Sequence, residues 1–177
     1  AVERDWESGY LRTLLVLPQG VQAMNVDFPG LVQTSLNMGV IEKKEDGICF
    51  GVSVRSCIAT QKDMMVQRLK AILELGGGTF TLRGNYPGWQ YDRNSALREA
   101  VLAAYQAVWG KEGTIEATHG GLECGLFIEK LPGLDAVSFG PELHDVHSVK
   151  ERLSVASTQR VYEVTRELLR RESAVRN

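Results

Sequence analysis

Cysteine, histidine and proline are scarce in this chain, at three, three and five residues, and neither charge sign dominates. Cys49, Cys57 and Cys124 are odd in number and far apart, which argues against a disulfide framework and against a Cys-x-x-Cys zinc site. A reducing cytoplasm is the expected compartment. Twenty basic residues stand against 22 acidic ones, interspersed, for a net charge of −2, so no nucleic-acid footprint is expected. No apolar run reaches the length of a membrane span, and TLLVLP at 13–18 is too short and follows charged residues. No signal-peptide pattern precedes the first charges, and a chain that starts at Ala1 leaves a trimmed or partial protein open. Internal repeats, low-complexity segments and long charge blocks are absent as well.

What is present supports a real core, since 44 % of the residues are hydrophobic, enough for one ordinary domain or two small ones. Trp6, Tyr10, Leu14 and Leu17 fall at helical spacing and Pro18 ends that segment. A weaker strand pattern follows Gly20. Val32, Thr34, Leu36, Met38 and Val40 then share one face of a strand, with Gln33, Ser35 and Asn37 on the other. The polar turn 43–47 ends in Asp-Gly and leads into a second strand whose apolar face is Ile48, Phe50, Val52 and Val54. That hairpin puts Arg55 near a strand end, on the face away from the apolar row. Thr60 to Asp63 reads as a helix cap, Met65, Leu69, Ile72 and Leu73 as the buried stripe, and Gly76 to Gly78 as the stop. Residues 79–84 read as another strand. The whole of 5–84 is expected as an antiparallel sheet with helices on one face.

Composition changes after the turn-rich linker 85–94. Asn94 or Ser95 caps a helix bearing Leu97, Val101, Ala104, Tyr105 and Val108. Strands at 114–118 and 135–139, a brief helix near 123–130 and a last helix with Val161, Val164, Leu168 and Leu169 complete an α/β pattern.

Chemistry concentrates between Thr118 and Ser148, which hold all three histidines and two glycine-rich turns. His144 and His147 can offer imidazole nitrogen to a metal such as zinc, but two histidines three apart in a loop read equally as surface residues. His119 lines a cleft or packs on its turn. Gly120-Gly121 and Gly125 permit close backbone approach, yet GGLECG fits neither a Walker loop nor a dinucleotide fingerprint. Cys124 has no assigned base. Arg55 has the planar fork that grips a carboxylate, with an ordinary surface arginine as the alternative. Tyr86 and Trp89 wall a pocket or pack the linker.

Taken together, FPGLVQTSLNMGV, YPGW, THGGLECGLF and SFGPELHDVHS, in that order, resemble the aminoacyl-histidine dipeptidases, within the wider family of di-zinc aminoacylases and carboxypeptidases. The likeness runs from about Leu14 to the last helix. It implies an α+β lid portion, residues 1–84, that also mediates dimer contacts. An α/β portion of a zinc-peptidase catalytic domain, residues 85–177, follows it. Gly140-Pro141 and His147-Ser148 match the family's Gly-Pro-x5-His-Ser pattern, so His147 inherits the role of a zinc ligand and His144 does not. Val149 stands where relatives commonly carry proline. Arg55 inherits the grip on the substrate's C-terminal carboxylate, and Gly121 the turn against that end of the substrate. No role is carried over for Glu123 or Cys124.

The implied activity is hydrolysis of Xaa-His dipeptides, with two zinc ions per intact enzyme activating water. The family's His-x-Asp motif, bridging aspartate, Glu-Glu pair and further acidic ligand have no match here. The general base is therefore expected upstream, no catalytic residue is assigned, and the chain by itself is expected to be incomplete as an enzyme. Two other readings stay open: a non-catalytic interaction or dimerisation module with a degenerate peptidase fold, and a zinc site formed across a dimer by His144 and His147. Exposed apolar surface on both portions leads us to expect a homo-oligomer.

Overall fold

The computed structural model describes the backbone of residues 2–118 and 122–175 and the side chains of 9–118 and 122–174. In chain order the elements are α1 (Val2–Val16), β1 (Gly20–Met24), β2 (Val32–Lys44), β3 (Gly47–Ser56), α2 (Ala59–Leu75), α3 (Ala96–Trp109), α4 (Glu123–Lys130), β4 (Leu143–His144), β5 (Arg152–Leu153) and α5 (Val155–Val175). They fall into two compact units, Ala1–Tyr91 with Glu116–Glu129, and Asp92–Ile115 with Lys130–Asn177. The class is α/β.

In the first unit β1, β2 and β3 form an antiparallel sheet in that order. The two-residue tip Glu45-Asp46 joins the long hairpin, and the pairing runs from Lys44↔Gly47 to Thr34↔Ser56. Alternation delivers Leu36, Met38, Phe50, Val52 and Val54 to one face. There they meet Leu17, Met65, Leu69, Ile72 and Phe80 in a single core. Burial of a side chain such as Leu36, 2 % exposed, is worth about 1.5–3 kcal/mol. Val40 departs from the expected row. The register slips between Met38 and Val40, which sets Val40 opposite Gly51 and leaves it 49 % exposed.

The start of α2 also differs from the sequence pattern. Ile58, not Thr60, occupies the cap position, and no side chain bonds the first turn. Thr60 lies two residues past the cap position, too far inside the helix for its hydroxyl to serve there. The end behaves as expected, with Gly76, Gly77 and Gly78 amides returning to the carbonyls of Ile72, Glu74 and Leu73.

The second unit is built on α3 and α5. Val101, Ala104, Val164 and Leu168 are buried between them, flanked by Leu97, Ala100, Tyr105, Val108, Trp109 and Val137. Leu169, expected in this stripe, is 64 % exposed, because one residue past Leu168 the helix has turned by about 100°. Ser95 caps α3 by accepting from the Arg98 amide, and Gly110 closes it at φ 65°. No strand forms at 79–84, 114–118 or 135–139 among the described residues. Alternating side chains give such segments an extended tendency, but a strand also needs a backbone partner to complete its ladder. The short β4–β5 ladder was not anticipated. No helix among the described residues is long and apolar enough to cross a membrane.

Candidate functional site

Arg55 is the last residue but one of β3, paired with Ser35 of β2. It is exposed, and its guanidinium has no hydrogen-bond or ion-pair partner among the described residues. An unengaged fork on a strand end is suited to a carboxylate.

Behind it lies a buried polar cluster. Thr34 and Ser56, 1 % and 5 % exposed, face each other across the two strands with their hydroxyls 2.9 Å apart. Thr34 donates to Gln61 Oε1 at 2.6 Å, and the one proton of the Ser56 hydroxyl is shared between Thr34 Oγ1 and the Ile58 carbonyl, 3.1 Å away. Gln33 Nε2 also donates to Gln61 Oε1, at 2.9 Å. The Ile58 amide donates to Ser56 Oγ at 3.1 Å, and the Cys57 amide to the Gln33 carbonyl at 3.3 Å. Among the described residues no buried side-chain nitrogen or oxygen is left without a hydrogen-bond partner, as low dielectric demands.

The segment carrying Tyr86, Pro87 and Gly88 is strapped onto the same corner. Lys62, the residue after Gln61 in α2 and 9 % exposed, donates from Nζ to the Tyr86 carbonyl at 2.6 Å. Gly88 lies against the backbone of Ser56 and Cys57, where an added Cβ would come within 2.7 Å of the Ser56 carbonyl oxygen. Gly125 of α4 in turn lies against the carbonyls of Pro87 and Gly88. Tyr86 has its phenol pushed up by burial, with Glu123 and Cys124 adding to the effect. Burial likewise raises the Cys57 thiol, an inert condition for sulfur. His119, Gly120 and Gly121 lie outside the described residues.

In the second unit β4 and β5 pair Leu143 with Leu153 and His144 with Arg152, and the loop between them carries His147. Asp145 and His147 adopt left-handed backbone, φ 52° and 64°, although neither is glycine. Bonds within the loop hold that shape. The His147 amide donates to Glu151 Oε2 at 3.1 Å, the Ser148 hydroxyl to the Asp145 carbonyl at 2.7 Å, and Arg152 pairs with the Asp145 carboxylate. Both imidazoles are exposed and have no hydrogen-bond partner among the described residues. His147 is thus presented as a free nitrogen donor on a constrained loop.

A metal needs more than one donor. Among the described residues no group of three His, Cys, Asp or Glu side chains comes together that could hold one. The described residues suit one ligand position and do not by themselves assemble a metal site. Sequence patterning places Gln33 only on the face opposite the apolar row and gives Gln61 and Lys62 no role. The one available signal was Thr34, a hydroxyl in an otherwise apolar row.

The profile of Peptidase family M20/M25/M40 matches residues 13–171. The cytosol non-specific dipeptidase of Escherichia coli (strain K12) is 35 % identical over 161 residues, covering 91 % of this chain and 33 % of that protein. The crystal structure of aminoacylhistidine dipeptidase from Vibrio alginolyticus superposes with a TM-score of 0.82 at 33 % identity, over 93 % of this chain and 34 % of that one. Aminopeptidase PepT from Bacillus cereus ATCC 10987 shares the fold, with a TM-score of 0.66 at 16 % identity over 91 % of this chain and 43 % of that one. The chain spans about a third of the length of the dipeptidases it matches.

Proposed function

Because the chain belongs to peptidase family M20/M25/M40, we propose that it is the lid and C-terminal catalytic portion of a metal-dependent dipeptidase acting on Xaa-His dipeptides. The observation that carries this is the likeness to the aminoacylhistidine dipeptidase along 93 % of the chain. Residues 1–84 are read as the lid and dimerisation portion and 85–177 as catalytic. His147 supplies one ligand to one of two zinc ions, Arg55 grips the substrate's terminal carboxylate, and the turn at Gly121 lies along that same end. The remaining ligands and the general base are supplied by residues outside this segment. The free imidazole of His147 and the unengaged guanidinium of Arg55 support these assignments, since each group is accessible and neither is spent on an internal contact. A cytoplasmic homo-oligomer is the expected working state.

The test is made in the complete dipeptidase that carries this segment. His147→Ala should remove zinc from one position and lower kcat/KM by at least about a hundredfold, in line with loss of a metal ligand. Unchanged zinc content and unchanged hydrolysis of an Xaa-His dipeptide would sink the assignment.

A further inference from the structure

We infer that Gln61 is a positioning residue for Arg55. The inference rests on the reading of Arg55 as the carboxylate grip. Strand alternation sends Arg55 outward and Ser56 inward, so whatever holds the Ser56 side chain sets the pitch of the peptide on which Arg55 stands. Ser56 Oγ meets Thr34 Oγ1 at 2.9 Å beside the local bonds it makes with the Ile58 amide and carbonyl at 3.1 Å, and Thr34 donates to Gln61 at 2.6 Å, so the link from Ser56 to the other strand and to α2 runs through Thr34. Gln61 also takes Gln33, whose own carbonyl accepts the amide of Cys57 at 3.3 Å. One amide oxygen in the first turn of α2 therefore ties down both strands at the level of Arg55, at the end where a β-hairpin ordinarily frays.

Stability alone does not call for this arrangement. Two apolar side chains at 34 and 56 would extend the core row of Leu36 and Val54 without directional bonds. A satisfied buried network instead selects one geometry among near neighbours. The benefit falls on a fork that must meet a planar carboxylate, where a shift of about 1 Å costs far more than a kcal-scale change in stability would suggest. A lysine ammonium in the same place is a point charge with no fork to misalign, and so has little to gain from the network.

Kinetics of the complete dipeptidase on an Xaa-His dipeptide decide the matter. Gln61→Met, close in size but without an acceptor, should raise KM about fivefold with kcat nearly unchanged. Gln61→Glu keeps an acceptor oxygen and should bring KM back to within about twofold of the parent. Arg55→Lys should raise KM about tenfold, and adding Gln61→Met to it should raise KM no further. If Gln61→Met does not fold, Thr34→Val breaks the same bond and carries the same cycle. Additive effects beside a clear Arg55→Lys defect, or a Gln61→Glu variant as impaired as Gln61→Met, would overturn the inference and leave the reading of Arg55 standing. An Arg55→Lys enzyme with unchanged KM would overturn both.

Discussion

Gly88 shows how a single missing methyl group organises a corner of the molecule. Its Cα hydrogen faces the Ser56 carbonyl and the Cys57 backbone, and an added Cβ would lie 2.7–2.8 Å from those atoms. Backbone cannot swing aside as a side chain can. Gly88→Ala should therefore destabilise the protein by about 1–3 kcal/mol, read as a lower urea midpoint. An unchanged midpoint would mean that the strap at 86–88 is looser than its contacts imply. At this scale the sequence was legible where a residue's role depends on its neighbours in the chain. The outward face of Arg55 follows from alternation, and the periodic apolar run after Asn94 and Ser95 announces a cap at one of the two, which the structure assigns to Ser95. Gln61 announces nothing. Its partners lie 27 and 28 residues away, and only the fold brings them within bonding distance.

Among the elements, α3 carries the most readable electrostatics. Burial works to raise the Asp135 carboxyl, but bonds from the Ser95 hydroxyl and the Leu97 amide and the charge of Arg98 outweigh it, and the group is held below its ordinary 3.8. A depressed carboxyl stabilises the fold fully above the unfolded value. That contribution disappears as pH falls through the lower folded value. Asp135→Asn should accordingly flatten the acid limb of stability against pH, and Ser95→Ala should cost about 1 kcal/mol at neutral pH. Equal acid sensitivity in Asp135→Asn and the parent would count against this account. The β2–β3 hairpin, α3 and the glycine stop of α2 were legible because period, cap and turn agree within a few residues. Strands expected at 79–84, 114–118 and 135–139 were not found, since patterning sets a tendency while a ladder requires a partner from elsewhere in the chain. The slip at Val40 and the left-handed residues at 145 and 147 have no local spelling in the sequence.

On the scale of the whole molecule, the described residues form two cores, one under the sheet and one between α3 and α5. The first unit still leaves much apolar surface uncovered. Leu11 and Leu15 of α1 stand one turn apart at 61 % and 84 % exposure, and Leu75 at the end of α2 is 90 % exposed. Surfaces of this kind favour association with other chains. The homo-oligomer proposed above should elute ahead of a monomer in size-exclusion chromatography coupled to light scattering, with the share of the larger species rising with concentration. A single monomeric mass at every concentration would contradict it.

The left-handed backbone at Asp145 and His147 has a consequence for anyone redesigning this chain. Each such position holds a side chain where glycine would relax the peptide, at a strain of about 1–3 kcal/mol. A procedure that ranks substitutions by thermal tolerance alone would place His147→Gly among its first choices. It would return a hardier protein with the free imidazole deleted. Stabilisation of this scaffold therefore belongs in its helices and core, with the loop from 145 to 151 held fixed as a constraint.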